Sequence, residues 1–299
     1  LDLPSNAKIY KSKIKWLWNL FIAPKSSHFV FNPGEITLRT TRLIFELLLY
    51  PFSYLVKVKG GKIIRVGVAA VSNTELNAAT LWKFLVKQSD LVFWRTFESK
   101  KLFGFGEVIP DLAFRTPPLN SNDLSRDTLV VSMRGDRPTP SKNWLDSLSK
   151  FARNNGLKIV IVSQVRMDNE RGRFLADSLG GTKFLWDDAV GHNQQEEIVR
   201  DIYMRSKIVI SDRLHVLIAA VTEGVIPCVL LTKPSDKIKD HFDVIGLANI
   251  TSNSNDIDEI QAFLEEQLTR KDEVYKKILD AQSELERVRA RVLSVLRLT

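Results

Sequence analysis

Residues 208–231 read IVISDRLHVLIAAVTEGVIPCVLL, and the order of residue types in this stretch decides the fold. The β-branched run at 208–210 predicts a buried strand. Ser211 and Asp212 are residue types that cap helices, and the apolar, small-residue segment 214–223 predicts a packed helix. Gly224 stops it, because glycine takes the left-handed backbone conformation without strain. The apolar run 226–231 then predicts a second buried strand. Strand, helix and strand in this order predict parallel pairing.

The same alternation extends in both directions. Upstream, strands are predicted at 128–133, 158–163 and 183–185, with helices at 142–154, near 171–179, and at 194–206. Downstream, helices close the chain at 259–268 and 272–298, the latter carrying the pairs Glu273 with Lys277 and Glu286 with Arg289. In the first part the strands fall at 29–31, 63–68, 91–94 and 107–109, and the helices at 38–49, 75–87 and 96–103. Between the two parts, 116–126 holds two prolines among Ser, Asn and Asp, and reads as a linker. The expected fold class is α/β, with two doubly wound, Rossmann-like parallel sheets, in domains 1–122 and 123–299.

A chain of 299 residues, 44% hydrophobic and 26% charged, has the composition of a globular protein with a real core. Its net charge of +8 is unevenly placed: residues 1–125 hold 17 basic against 9 acidic residues, and the remainder balances at 26 each. A basic first part draws anions such as phosphorylated metabolites, acidic glycans or lipid head groups. A nucleic-acid module is not recognised. Cys228, the single cysteine, excludes an intrachain disulfide and a cysteine-based zinc cluster, and suits the cytoplasm. No apolar stretch near the start is long enough to span a bilayer. Lys8, Lys11, Lys13 and Lys15, interleaved with Trp16, Trp18 and Phe21, read either as a peripheral contact with the inner face of an anionic membrane or as a helix packing its aromatic side on the domain. The chain starts at Leu1 without a signal-peptide pattern and reads as trimmed, with a secretory lumen the alternative location if an anchor was removed. The triplet Asn249-Ile250-Thr251 is a glycosylation sequon.

In open α/β sheets ligands bind beyond the carboxyl ends of the strands, so polar residues that follow each strand are the site candidates. These are Arg134 and Asp136 after the first strand of the second half, Ser163 after the second, and Ser211, Asp212, Arg213 and His215 after the fourth. Thr232, Lys233 and Lys237 follow the fifth. A helix N-terminus beside a guanidinium is a prepared anion site, and a histidine there can move a proton near neutral pH. The alternatives are local: Arg213 paired with Asp212, His215 a satisfied helix histidine, Arg134 paired with Asp136, and Lys237 solvated in a polar loop. In the first half Arg95, Ser99 and Asp111 follow strands and are equally suited to structure. No Walker loop, dinucleotide fingerprint, nucleophile elbow or metal-site histidine spacing occurs.

The block SDRLHVLIAAVTEGVIPCVLL at 211–231, followed by Lys237 and by 242–247, resembles the polysaccharide pyruvyltransferase family. So do DLVFWRTFES at 90–99, the Pro-Asp-x-Ala-Phe at 110–114 and Arg134 after its strand. The family's opening Gly-Asn loop is absent, and Phe31-Asn32-Pro33-Gly34 stands where a Gly-Gly-Gly is expected, so the resemblance implies a shortened N-terminal domain. It implies a glycosyltransferase-B-like fold that moves the enolpyruvyl group of phosphoenolpyruvate to a sugar of a polysaccharide or lipid-linked glycan, as a pyruvate ketal, with no metal and no further cofactor. On this chain the implied general acid is His215, and the implied substrate-binding residues are Arg134, Arg213, Leu214, Lys237, Arg95 and Ser163. The competing readings are a nucleotide-sugar glycosyltransferase of the same fold and a non-catalytic family member.

Overall fold

The computed structural model describes residues 10–22, 27–37, 40–71, 76–116, 126–231 and 236–296. Lys8, Thr232, Lys233 and the 117–125 part of the expected linker, with its 122/123 division, lie outside them. The chain forms two compact units, Leu1–Ile109 with Arg287–Thr299, and Pro110–Glu286. The division therefore falls ahead of the Pro-rich segment. Residues 112–115 form a short 3-10 helix whose buried Phe114 meets Phe242 edge to face at 5.7 Å, which assigns them to the second unit.

The first unit holds helices α1 (Lys13–Ile22), α2 (Thr40–Val58), α3 (Leu76–Lys87) and α4 (Phe97–Phe103). Its strands are β1 (Phe29–Phe31), β2 (Gly34–Thr37), β3 (Ile63–Val71), β4 (Leu91–Trp94) and β5 (Glu107–Val108). All pair in parallel in the order β1-β3-β4-β5, with β2 continuing beside the second half of β3. Both β2 and the extension of α2 beyond Leu49 are departures from the sequence expectation. Pro51 lies inside α2, on its exposed side, where the hydrogen bond it cannot donate costs least.

The second unit contains β6 (Thr128–Ser132), α5 (Lys142–Asn154), β7 (Lys158–Val162), α6 (Asn169–Leu179), β8 (Thr182–Phe184), α7 (His192–Met204) and β9 (Ser206–Ser211). Then follow α8 (Leu214–Thr222), β10 (Ile226–Leu230), α9 (Asp236–Val244), β11 (Thr251–Ser252), α10 (Ile257–Leu268) and α11 (Lys271–Leu296). The sheet order is β11-β10-β9-β6-β7-β8, every pair parallel. All five residues of β6 are buried, as a central strand covered on both faces requires. One face packs Leu129, Val131 and Ile210 against Trp144, Leu148 and Phe151 of α5. No helix among the described residues is long and apolar enough to cross a membrane.

Candidate active site

The chain order of the second sheet reverses between β6 and β9. Neighbouring strands there send their following segments to opposite faces, which opens a crevice at their carboxyl ends. Ser132 and Ser211, the last residues of these strands, stand side by side in register. The Ser211 hydroxyl accepts the Arg213 N–H at 3.0 Å, and the Asp212 carboxylate accepts the Arg134 N–H at 2.8 Å. Asp212 is thus spent on the exit of β6, and the expectation that Ser211 or Asp212 caps the following helix is corrected. The N-cap position is Arg213 itself, and no side chain caps α8. Its first-turn N–H groups keep their positive field.

A residue that the sequence did not mark ties three strand exits together. Asp168 lies between β7 and α6 and is 2% exposed. Its carboxylate accepts the Gly135 N–H at 2.9 Å and is gripped by Arg213 through Nε and, at 2.7 Å, through Nη2. Arg213 therefore pairs with Asp168, not with its neighbour Asp212. A Cβ at position 135 would stand 2.7 Å from the Met167 carbonyl oxygen, so glycine is what lets the two exits close on each other. The bidentate pair fixes the guanidinium plane, and the Nη1 group makes no hydrogen bond among the described residues.

Arg134 forms the local pair that its sequence neighbours allowed: Nε and Nη2 reach the Asp136 carboxylate at 2.8 and 2.6 Å. Hydrogen bonding from this guanidinium pulls the Asp136 carboxyl down to about 2. The pair is at the surface, with side chains 34% and 50% exposed, so water competes for both partners. In Asp212 the opposite holds. Burial pushes its carboxyl pKa up, and Oδ2 has no hydrogen-bond partner among the described residues.

Helix α8 has seven buried residues among its nine, and His215 is exposed on its first turn. Leu214 offers only its backbone to a ligand, since its side chain is buried in the core. Ser163 is 1% exposed; its N–H donates to the Phe184 carbonyl at 3.1 Å and its own carbonyl accepts Gln195 Nε2 at 2.9 Å. Both contacts are made by its backbone, and its Oγ has no hydrogen-bond partner among the described residues. Lys237 is exposed on α9 and not in a polar loop; its carbonyl oxygen meets His241 Nδ1 at 2.7 Å. Among the described residues no group of three or more His, Cys, Asp or Glu is placed to hold a metal ion.

The candidates from the first half have structural partners. Arg95 donates its backbone N–H to Val68 at 2.9 Å and sets Nη2 4.0 Å from Glu35, both within the first unit. Ser99 accepts the Ala70 N–H at 2.9 Å. Asp111 caps the 3-10 helix through the Ala113 N–H at 3.0 Å and approaches buried His241 at 3.7 Å. The first unit also has a cavity of about 280 Å³ walled by Phe29, Phe31, Phe45 and Leu49. Two of its charged lining residues pair with each other: Arg65 meets Glu46 at 2.8 Å and lies 3.4 Å over the Phe31 ring.

Compared with protein families, the chain matches the polysaccharide pyruvyl transferase model over residues 2–232. The chain belongs to that family. The polysaccharide pyruvyl transferase match bears out the resemblance carried by Arg213-Leu214-His215, and family membership makes the chain a transferase. No protein with a curated description matches it in sequence. Among solved structures it is similar to a putative UDP-N-acetylglucosamine 2-epimerase from Listeria monocytogenes, at 12% identity and a TM-score of 0.58, covering 100% of this chain and 83% of that one. It is also similar to the MnaA protein of S. aureus with UDP, at 12% identity and a TM-score of 0.53, covering 96% and 80%. A Glycosylation Associate Protein (Gap123) complex from Streptococcus agalactiae matches at 15% identity and a TM-score of 0.53, covering 95% of this chain and 55% of that one. At such identities the likeness is one of fold. The chain has the Rossmann-like units of the glycosyltransferase-B fold.

Proposed function

We propose that the protein transfers the enolpyruvyl group of phosphoenolpyruvate to a sugar of a polysaccharide or its lipid-linked precursor, leaving a pyruvate ketal and free phosphate. The observation that carries this reading is the uncapped start of α8, with Arg213 locked in plane by Asp168 and His215 exposed beside it. Phosphoenolpyruvate bears a carboxylate and a phosphate, and both need fixed donors. The Nη1 group of Arg213 and the first-turn N–H groups of α8 serve one anion. Arg134 serves the other by exchanging solvated Asp136 for the donor, while Lys237 adds charge from α9.

The chemistry follows from the donor's enol phosphate ester. A proton from His215 goes to the methylene carbon, which becomes a methyl group, and C2 turns electrophilic. A sugar hydroxyl oxygen bonds to C2 and gives up its proton. The C2–O bond to phosphate then breaks, phosphate leaves, and a second hydroxyl of the same sugar bonds to C2 and gives its proton to the departing phosphate, which closes the ketal. Fixed cations at the departing phosphate stabilise the charge that develops there.

Calorimetric titration with phosphoenolpyruvate tests the donor. Arg134→Ala is the cleaner variant, since Arg213→Ala would strand the buried Asp168 carboxylate and unsettle the fold. Arg134→Ala is expected to weaken donor binding by about 1.5 to 3 kcal/mol, since the guanidinium is partly solvated. His215→Gln is expected to bind donor within a few-fold of the parent and to lose turnover by roughly 10²-fold or more. Binding of a nucleoside diphosphate with no heat from phosphoenolpyruvate would point to a nucleotide-sugar glycosyltransferase instead.

A further inference from the structure

Helix α2 is apolar on two sides. Leu43, Leu49 and Val56 face the first unit's interior and are buried. On the other side Ile44, Leu47, Leu48, Tyr54 and Val58 recur at helical spacing and are exposed, Leu48 by 63% and Val58 by 66%. Their stripe runs about 20 Å along the helix. Helix α1 packs on α2 and carries a second stripe, Ile14, Trp18, Phe21 and Ile22, with Ile14 80% and Trp18 62% exposed. Lys59 Nζ donates to the Phe21 carbonyl at 2.8 Å, which joins the ends of the two stripes. A helix that is apolar on its outer side as well as its inner one is normally covered, and exposed apolar surface of this extent marks an interaction site.

The charges around the two stripes select the partner. Across residues 10–22 and 40–62 the sole acidic residue is Glu46, and it is buried against Arg65. Lys11 and Lys15 border α1, and Lys57, Lys59 and Lys62 follow at the end of α2. Asp90 answers Lys57 and Lys62 together, at 3.9 and 3.4 Å, so the rim keeps a positive excess. In a two-fold dimer through this face the same lysines would confront their own copies. An anionic bilayer matches both features at once: Trp, Tyr, Phe and aliphatic side chains enter the interface and lysines stay at the head groups.

We infer that the outer face of α1 and α2 is a docking surface for an anionic lipid bilayer, on which the first unit lies without crossing it. The inference is independent of the donor reaction, which can be assayed on a soluble acceptor saccharide.

Co-sedimentation compares vesicles of phosphatidylcholine alone with vesicles containing about 30% phosphatidylserine, at low and high salt. The parent is expected to bind the anionic vesicles and to lose most of that binding in high salt. Leu48→Asp with Val58→Asp, both exposed, should keep the parent's thermal unfolding and reduce vesicle binding about ten-fold or more. Lys15→Glu with Lys59→Glu should abolish the preference for anionic lipid. No vesicle binding by the parent, or binding indifferent to lipid charge and salt, overturns the inference. So does a dimer in sedimentation velocity that the Leu48 and Val58 changes convert to monomer, since the covered face would then belong to a second copy.

Discussion

Asp212 holds a carboxylate between two strand exits where one oxygen serves the Arg134 N–H and the other finds no donor among the described residues. Burial raises its folded-state pKa above the 3.8 of an unperturbed aspartate. The folded chain then holds the proton more tightly than the unfolded one. Stability from this group is therefore full at low pH and is withdrawn as pH rises from about 3.8 through the higher folded value. Asp212→Asn keeps an acceptor for Arg134 and removes the titration. Thermal unfolding from about pH 3 to about pH 7 is expected to show the parent losing Tm relative to the variant as pH rises. Parallel curves would mean that the carboxylate ionises in the fold without cost. The other site residues differ in how plainly the sequence announces them. Arg134, Arg213 and His215 follow apolar runs directly, so strand-exit logic finds them. Asp168, in Met167-Asp168-Asn169, looks like the start of any helix. Its role depends on β7 lying next to β6, and that is a tertiary fact.

Elements were legible where apolar runs are short and bounded, as in β6, β9 and β10, whose neighbours supply clear stops. Helix α2 runs past the expected end at residue 49 although Pro51 cannot donate a backbone hydrogen bond. That cost is small on an exposed face, and burial of Ser53 and Val56 beyond it carries the helix on to Val58. Helix α9 was hidden by its charges, although Ile238, His241, Phe242 and Ile245 follow helical spacing and all are buried. The turn out of α2 gives a test of element packing. A Cβ at Gly61 would lie 1.9 Å from the Ser27 carbonyl oxygen and 2.7 Å from Val56 Cγ1. The first obstacle is backbone, which cannot rotate aside. Gly61→Ala is expected to destabilise the protein by about 1 to 3 kcal/mol or more, read from urea unfolding. An unchanged midpoint would show that the α2 to β3 turn can open without loss.

At the scale of the molecule, the first unit is assembled from two separate parts of the chain. Its last segment begins at Arg287 within α11. Arg291 there grips Glu107 at 2.6 and 2.7 Å and lies 5.5 Å over the Phe93 ring, which joins the end of the helix to β4 and β5. Removing residues 287–299 should therefore loosen the first unit and spare the second, whose own contact from α11, Glu286 with Arg115 at 2.7 Å, is retained. Limited proteolysis is expected to cut within Leu1–Ile109 first in the shortened chain; equal resistance in both chains would argue that the returning helix is dispensable. The same arrangement has a consequence for biosynthesis. Translation delivers Ile109 well before Arg287, with the whole of Pro110–Glu286 made in between. At about 5 to 20 residues per second, the nascent first unit waits on the order of 10 to 40 s for the segment that completes it. Throughout that interval its apolar helices emerge from the ribosome before their own fold is closed.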